Sequence, residues 1–220
     1  MAMKLEPASR TINVNGVQIY VEKAENTPPD GMRRLPVVFI HGLHSSREHW
    51  VNQVAAFSGK RPVITWDLRG HGLSDMEAPS ITIEDHVNDL SALFDALDIR
   101  EAHVVGGSAG GFVAQRIAVR RSDVVRSVTL VGTAASVPPE TLDPEALSRE
   151  VLSQGMGMYR DFMKKYTFGP NVSDEVFEFV FDILSHPSVE AAVRRLRGML
   201  HYDGIENAKA IACPTLVLAG

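Results

Sequence analysis

Hydrophobic and polar positions follow two rhythms along the chain. Thr11 to Lys23 reads TINVNGVQIYVEK, two β-rich runs flanking Asn15-Gly16. Both central residues of such a pair accept positive φ, so the segment predicts an antiparallel hairpin. Beyond a Pro-rich loop the pattern changes to short unbroken apolar runs at Val37–Ile40, Val63–Leu68, Ala102–Gly107, Ser127–Gly132 and Pro214–Gly220. Runs of this length predict strands buried on both faces. Segments such as IEDHVNDLSALFDALDI separate them with apolar residues at helical spacing. Alternating strands and helices predict an α/β fold with a mostly parallel sheet behind the N-terminal antiparallel hairpin. From about Ser136 to Ala210 every periodic pattern is helical, with Ser173 and Ser188 placed as N-caps. We therefore expect a core over 1–135, an inserted helical cap over 136–210 and a further core strand over 211–220.

Composition narrows the picture. With 220 residues and 45% hydrophobic content the chain can bury the core of one domain. Lys and Arg total 22 against 27 Asp and Glu, a net charge of −5 without long runs of either sign. Nucleic acid and acidic membranes are thus not expected as partners. The single cysteine, Cys213, cannot form an internal disulfide, and the first residues, MAMKLEPASR, lack the apolar stretch of a secretion signal. No apolar run approaches bilayer-spanning length. A cytoplasmic location is expected.

Three motifs carry candidate chemistry. Gly106-Gly107-Ser108-Ala109-Gly110-Gly111 follows a predicted strand and precedes the helix-forming FVAQRIAVRR. This is G-x-S-x-G in the strand, turn, helix setting that lifts a serine hydroxyl above a sheet, with the helix N-terminus favouring negative charge beside it. HGLHSS starts at His41 after one apolar run, and DLRGHGLSD starts at Asp67 after the next. In this order and spacing the three motifs resemble the α/β-hydrolase superfamily, and are most similar to its small esterases, enol-lactonases and C–C bond hydrolases. The resemblance spans Thr11 to Gly220. It implies that Ser108 is the nucleophile and that the backbone N–H groups of Leu43 and Ala109 form the oxyanion hole.

Residue type excludes several neighbours. Haloalkane dehalogenases and most epoxide hydrolases of this fold use Asp at the nucleophile position, and prolyl aminopeptidases carry a Gly-Pro-rich loop where this chain has Leu43-His44-Ser45. Neither a Walker A motif nor a dinucleotide fingerprint surrounds Ser108. No cofactor is expected, and no histidine pair has zinc-ligand spacing with a third partner.

In the fold that the motifs resemble, the acid and then the histidine follow the serine. Here both are expected beyond Gly220, so the sequence reads as truncated and the 220-residue chain as inactive. His41 and His71 read as structural hydrogen-bonding groups, His44 and His49 flank the site, and His86 and His103 precede the serine. His186 and His201 lie in or beside the cap and read as surface or cap histidines, with a swing over Ser108 as the alternative. Glu140 and Asp143 are alternative positions for the acid, while Asp67 and Asp75 read as loop anchors. The soft apolar residues Met156, Met158, Phe162, Met163, Phe168, Phe177, Phe179, Phe181 and Met199 read chiefly as packing between cap helices, and any that face Ser108 imply a small substrate with an apolar part. Arg194, Arg195 and Arg197 read as a solvated helix face, with contact to a substrate carboxylate as the alternative. The resulting expectation is cofactor-free acyl transfer on a small ester, lactone or related carbonyl compound. A non-catalytic ligand-binding protein and a haloperoxidase-like or perhydrolytic enzyme remain the alternatives.

Overall fold

The computed structural model describes residues 7–25, 31–32, 34–137, 143–168, 171–184 and 187–219. The hairpin consists of β1 (Ala8–Val14) and β2 (Val17–Ala24). Asn15 and Gly16 turn it with φ of 50° and 79°, the conformation of a two-residue turn whose twist matches that of the strands. Then come β3 (Val37–Ile40), a short 3-10 turn at Arg47–Trp50, α1 (Val51–Phe57), β4 (Val63–Trp66), α2 (Ile83–Ala96), β5 (Ala102–Gly107), α3 (Ala109–Arg120) and β6 (Val125–Val131). Among the described residues α4 (Pro144–Gln154), α5 (Gly157–Tyr166), α6 (Asp174–Ile183), α7 (Val189–Met199) and α8 (Ile205–Ala210) follow before β7 (Thr215–Leu218).

The strands form one sheet in the order β1-β2-β4-β3-β5-β6-β7. The pairings β1–β2 and β2–β4 are antiparallel, and the rest are parallel. Alternation sorts the strand residues between two faces. Val38 and Ile40 of β3 join the main core under α2 and α3, whereas Val37 and Phe39 pack with Trp50 on the other face. β4 ends at Trp66, sooner than its apolar run predicts, and beyond it His41 Nε2 takes the Leu68 N–H at 3.0 Å. Thr82 caps α2 in a reciprocal capping box with Asp85. Ser173 and Ser188 cap α6 and α7 as their positions predict.

The ends of the helical stretch between β6 and α8 are tied together. Ser136 bridges Asp203, Val137 N–H donates to Tyr202 O, and Gly204 N–H donates to Ala135 O. α7 then docks on the loop after β4. Arg195 is fully buried and its Nε donates to Gly70 O at 2.6 Å. Arg194 donates to Met76 O and Ala78 O, and Gly198 meets the Ile81 carbonyl with no room for a Cβ. The expected solvated arginine face is therefore overturned for two of three residues. Only Arg197 is exposed, paired with Glu145. Among the described residues no helix is long and apolar enough to cross a membrane.

Candidate active site

Ser108 stands at the junction of β5 and α3 with φ 50° and ψ −124°, a region that L-residues occupy only under strain. Neighbouring glycines make the turn possible. A Cβ at Gly106 would collide with the Gly110 backbone, and one at Gly110 with the carbonyls of Ile40 and His41. β5, the elbow and the loop after β3 thus interlock at van der Waals distance. The Ser108 backbone is held by its N–H donating to Val131 O at 2.9 Å and by Gly111 N–H donating to its carbonyl at 2.8 Å. Its side chain makes no capping hydrogen bond and the residue is exposed, so the hydroxyl is presented rather than consumed.

The loop after β3 reaches the same point. A Cβ at Gly42 would lie 3.1 Å from Ser108 Cβ and 3.6 Å from its Oγ, which puts Leu43 one peptide from the hydroxyl. Among the described residues no group accepts a hydrogen bond from the N–H of Leu43 or of Ala109. Beside Ser108 lies a cavity of about 450 Å³ lined by Ala109, Phe112, Thr133, Val137 and Leu200 among others. Phe112 on its wall stacks on Tyr202, with ring centroids 4.4 Å apart.

A family model described as alpha/beta hydrolase fold matches residues 36–202. The chain belongs to this family. Among curated relatives, 3-oxoadipate enol-lactonase 1 of Acinetobacter baylyi is 26% identical over 212 residues, covering 93% of this chain and 74% of that protein. A non-heme chloroperoxidase of Burkholderia pyrrocinia is 30% identical over 216 residues, covering 84% and 73%. Among solved structures, the enol-lactonase from Burkholderia xenovorans LB400 superposes with a TM-score of 0.78 at 26% identity, over 96% of this chain and 81% of that one. The sheet order and the N-terminal hairpin are accordingly those of an α/β hydrolase.

Among the described residues of this α/β hydrolase, the histidines His41, His44, His71 and His86 are buried. His41 is fully buried; its Nδ1 lies 2.8 Å from Gly42 O and its Nε2 accepts from Leu68 N–H. His71 packs edge-on against His41 at 5.2 Å, and His86 against His71 at 6.1 Å. His71 Nδ1 lies 3.0 Å from Arg69 O. His44, at φ 57°, is buried edge-on against Tyr159 at 4.8 Å. Burial lowers His41 to about 4 against the opposing pull of Asp67, and lowers His44 and His86 each to about 3. All are neutral at pH 7. Burial, together with the neighbouring Arg194, brings Arg195 down to about 10, and burial pushes Tyr159 up to about 12.

None of the described histidines hydrogen-bonds Ser108. His103 bonds Ser127 Oγ at 2.7 Å, and His49 and His201 are exposed. His186 and Glu140 lie outside the described residues. Asp143 caps α4 by accepting from Glu145 N–H. Asp67 is fully buried and accepts from the Arg47 backbone N–H at 2.7 Å, its guanidinium at 3.0 Å and Leu73 N–H at 2.9 Å. It ties the loop after β3 to the loop after β4. Asp75 Oδ1 accepts from Glu77 N–H.

The apolar helix residues divide between packing groups. Met163, Phe177 and Leu184 form one buried cluster with Phe168 and Phe181 against it, Met156 and Met158 pack beside Leu147 and Val151, and Met199 joins the main core. Phe179 is exposed, and the Phe162 side chain is outside the described set. Arg195, which no local pattern singles out, places a buried positive charge near His44, His71 and Tyr159.

Proposed function

We propose that this chain is a serine hydrolase acting by acyl transfer on a small carboxylic ester, lactone or related carbonyl compound. Ser108 attacks the carbonyl carbon, and the N–H groups of Leu43 and Ala109 receive the negative charge that develops on its oxygen. The observation that carries this reading is the strained, solvent-presented Ser108 at the β5–α3 apex, in van der Waals reach of the Gly42–Leu43 loop. The helical stretch 136–210 serves as the cap, and the cavity beside Ser108 takes the apolar part of the substrate. The relatives named enol-lactonase support the same reading.

Hydroxyl attack also needs a base. No described imidazole hydrogen-bonds Ser108, so an added external base is expected to accelerate its reaction. The deciding experiment is reaction with a fluorophosphonate, with and without added imidazole as an external base, followed by peptide mass spectrometry. We expect an adduct on Ser108 that imidazole accelerates and Ser108→Ala abolishes. No adduct on Ser108 under either condition overturns the reading and favours the non-catalytic binder. A further reading, perhydrolytic chemistry at the same serine, is favoured by the chloroperoxidase relative. It predicts peroxide-dependent halogenation that is lost in Ser108→Ala.

A further inference from the structure

We propose that His41 is the positioning residue of the oxyanion hole, acting through a single neutral tautomer to aim the N–H of Leu43. The inference rests on the oxyanion role proposed above for that N–H.

Two fixed partners determine the proton's place on the ring. Gly42 O has no hydrogen to give, so the 2.8 Å contact from Nδ1 requires an Nδ1–H donor. Leu68 N–H has no lone pair to offer, so the 3.0 Å contact requires Nε2 to accept. Only the neutral Nδ1–H tautomer satisfies both. The ring is fully buried, which bars water from replacing either partner. The groups around it are the Asp67 carboxylate, already holding Arg47 and Leu73, the neutral His71 ring, His49 and the Arg195 cation. Burial outweighs the Asp67 carboxylate and keeps the ring uncharged at pH 7.

The consequence follows from peptide planarity. Carbonyl and N–H of a trans peptide point in opposite directions, so fixing Gly42 O fixes Leu43 N–H. His41 holds that carbonyl from one side, while Ser45 N–H holds it at 3.3 Å. The Leu43 N–H is thereby turned away from the His41 ring, on a loop whose Gly42 lies against Ser108. If His41 loses its donor, the Gly42–Leu43 peptide can rotate and the oxyanion loses one of its two N–H groups.

Two substitutions separate the ring's two nitrogens. Asn places an amide N–H near the Nδ1 position and keeps the donor to Gly42 O; Gln places an acceptor near Nε2 and keeps Leu68 but loses the donor. Imidazole-assisted fluorophosphonate labelling of Ser108 should stay within about threefold of wild type in His41→Asn and fall about 100-fold in His41→Gln, as for loss of one oxyanion donor. Equal rates in the two variants, or a larger loss in Asn, overturn the inference. If neither variant folds, long-range proton–nitrogen NMR of the wild-type ring decides, with Nδ1–H expected and Nε2–H or a charged ring at pH 7 contradicting it. That spectrum does not depend on activity. An unlabelled Ser108 together with the Nδ1–H tautomer thus sinks the proposed function and leaves the lock standing, whereas a labelled Ser108 with the other tautomer sinks only the lock.

Discussion

Gly42 and Ser108 pack so closely that a methyl group at Gly42 would sit 3.1 Å from Ser108 Cβ and 3.2 Å from Gly107 O. Such contacts are tighter than ordinary van der Waals separation, and one of the two neighbours is backbone. Gly42→Ala must therefore displace either the loop or the elbow by a few tenths of an ångström. Overpacking of this kind destabilises by about 1–3 kcal/mol. The expected functional effect is larger in proportion, since an oxyanion donor works only within hydrogen-bond reach. Imidazole-assisted labelling of Ser108 should drop about tenfold or more in Gly42→Ala. Unchanged labelling in a folded variant would show that the loop does not serve the serine.

The strain at Ser108 makes a second prediction. A φ of 50° with ψ of −124° costs an L-residue of the order of 1–3 kcal/mol, and glycine escapes most of it. Glycine gives back about 0.5–1 kcal/mol through its freer unfolded state. Ser108→Gly should thus be about 1 kcal/mol more stable than Ser108→Ala in urea unfolding, although both lack the hydroxyl and neither is labelled. Equal stability of the two would mean that the elbow is not strained.

The pH dependence of stability follows from the buried histidines. His41, His44, His71 and His86 all have folded values lowered by burial. For a group with a depressed folded pKa, the unfolded chain binds the extra proton between the two values. Stability is therefore full above the unfolded histidine value of about 6.5 and falls as pH drops from there toward about 4. Each such histidine contributes up to about 1.4 kcal/mol per pH unit in that window. Urea midpoints should fall steeply between pH 7 and 5. His86, whose two ring nitrogens have no hydrogen-bond partner among the described residues, is the cleanest probe. His86→Leu should match or exceed wild type at pH 7.5 and flatten the slope by about one proton. A midpoint that is the same at pH 7.5 and pH 5 refutes the account.

Much of the sheet and the elbow was legible because their signals are local. Asn15-Gly16 specifies its turn by φ alone, the apolar runs specify buried strands, and the glycines around Ser108 specify a turn no other residue fits. The docking of α7 was not legible. Arg194 and Arg195 bond carbonyls 116 to 125 residues away, and no periodicity encodes a side-chain bond to a distant loop backbone. From spacing alone, three arginines on one helix resemble a solvated face. The pairing of His41 with Leu68 is hidden for the same reason, since the motif shows the histidine but not the N–H that fixes its tautomer.

β7 pairs with β6 through Val128–Thr215 to Val131–Leu218 and lies at the edge of the sheet. All four of its residues are exposed, with Leu216, Val217 and Leu218 at 54%, 58% and 48%. Apolar residues on an open edge template pairing with other chains. We expect 220-residue preparations to self-associate with rising concentration through this strand. A lysine on the edge opposes such pairing by charge repulsion and by the desolvation its ammonium would suffer. The Val217 side chain makes no part of the main core, and its backbone pairing with Leu130 does not depend on side-chain type. Val217→Lys should therefore leave the urea midpoint within about 0.5 kcal/mol of wild type, as for a surface substitution, while lowering the light-scattering mass toward that of the monomer. If wild type and Val217→Lys show the same concentration-dependent mass, the edge is not the associating surface. If both are monomeric at all concentrations, the exposed strand is harmless and the prediction fails outright.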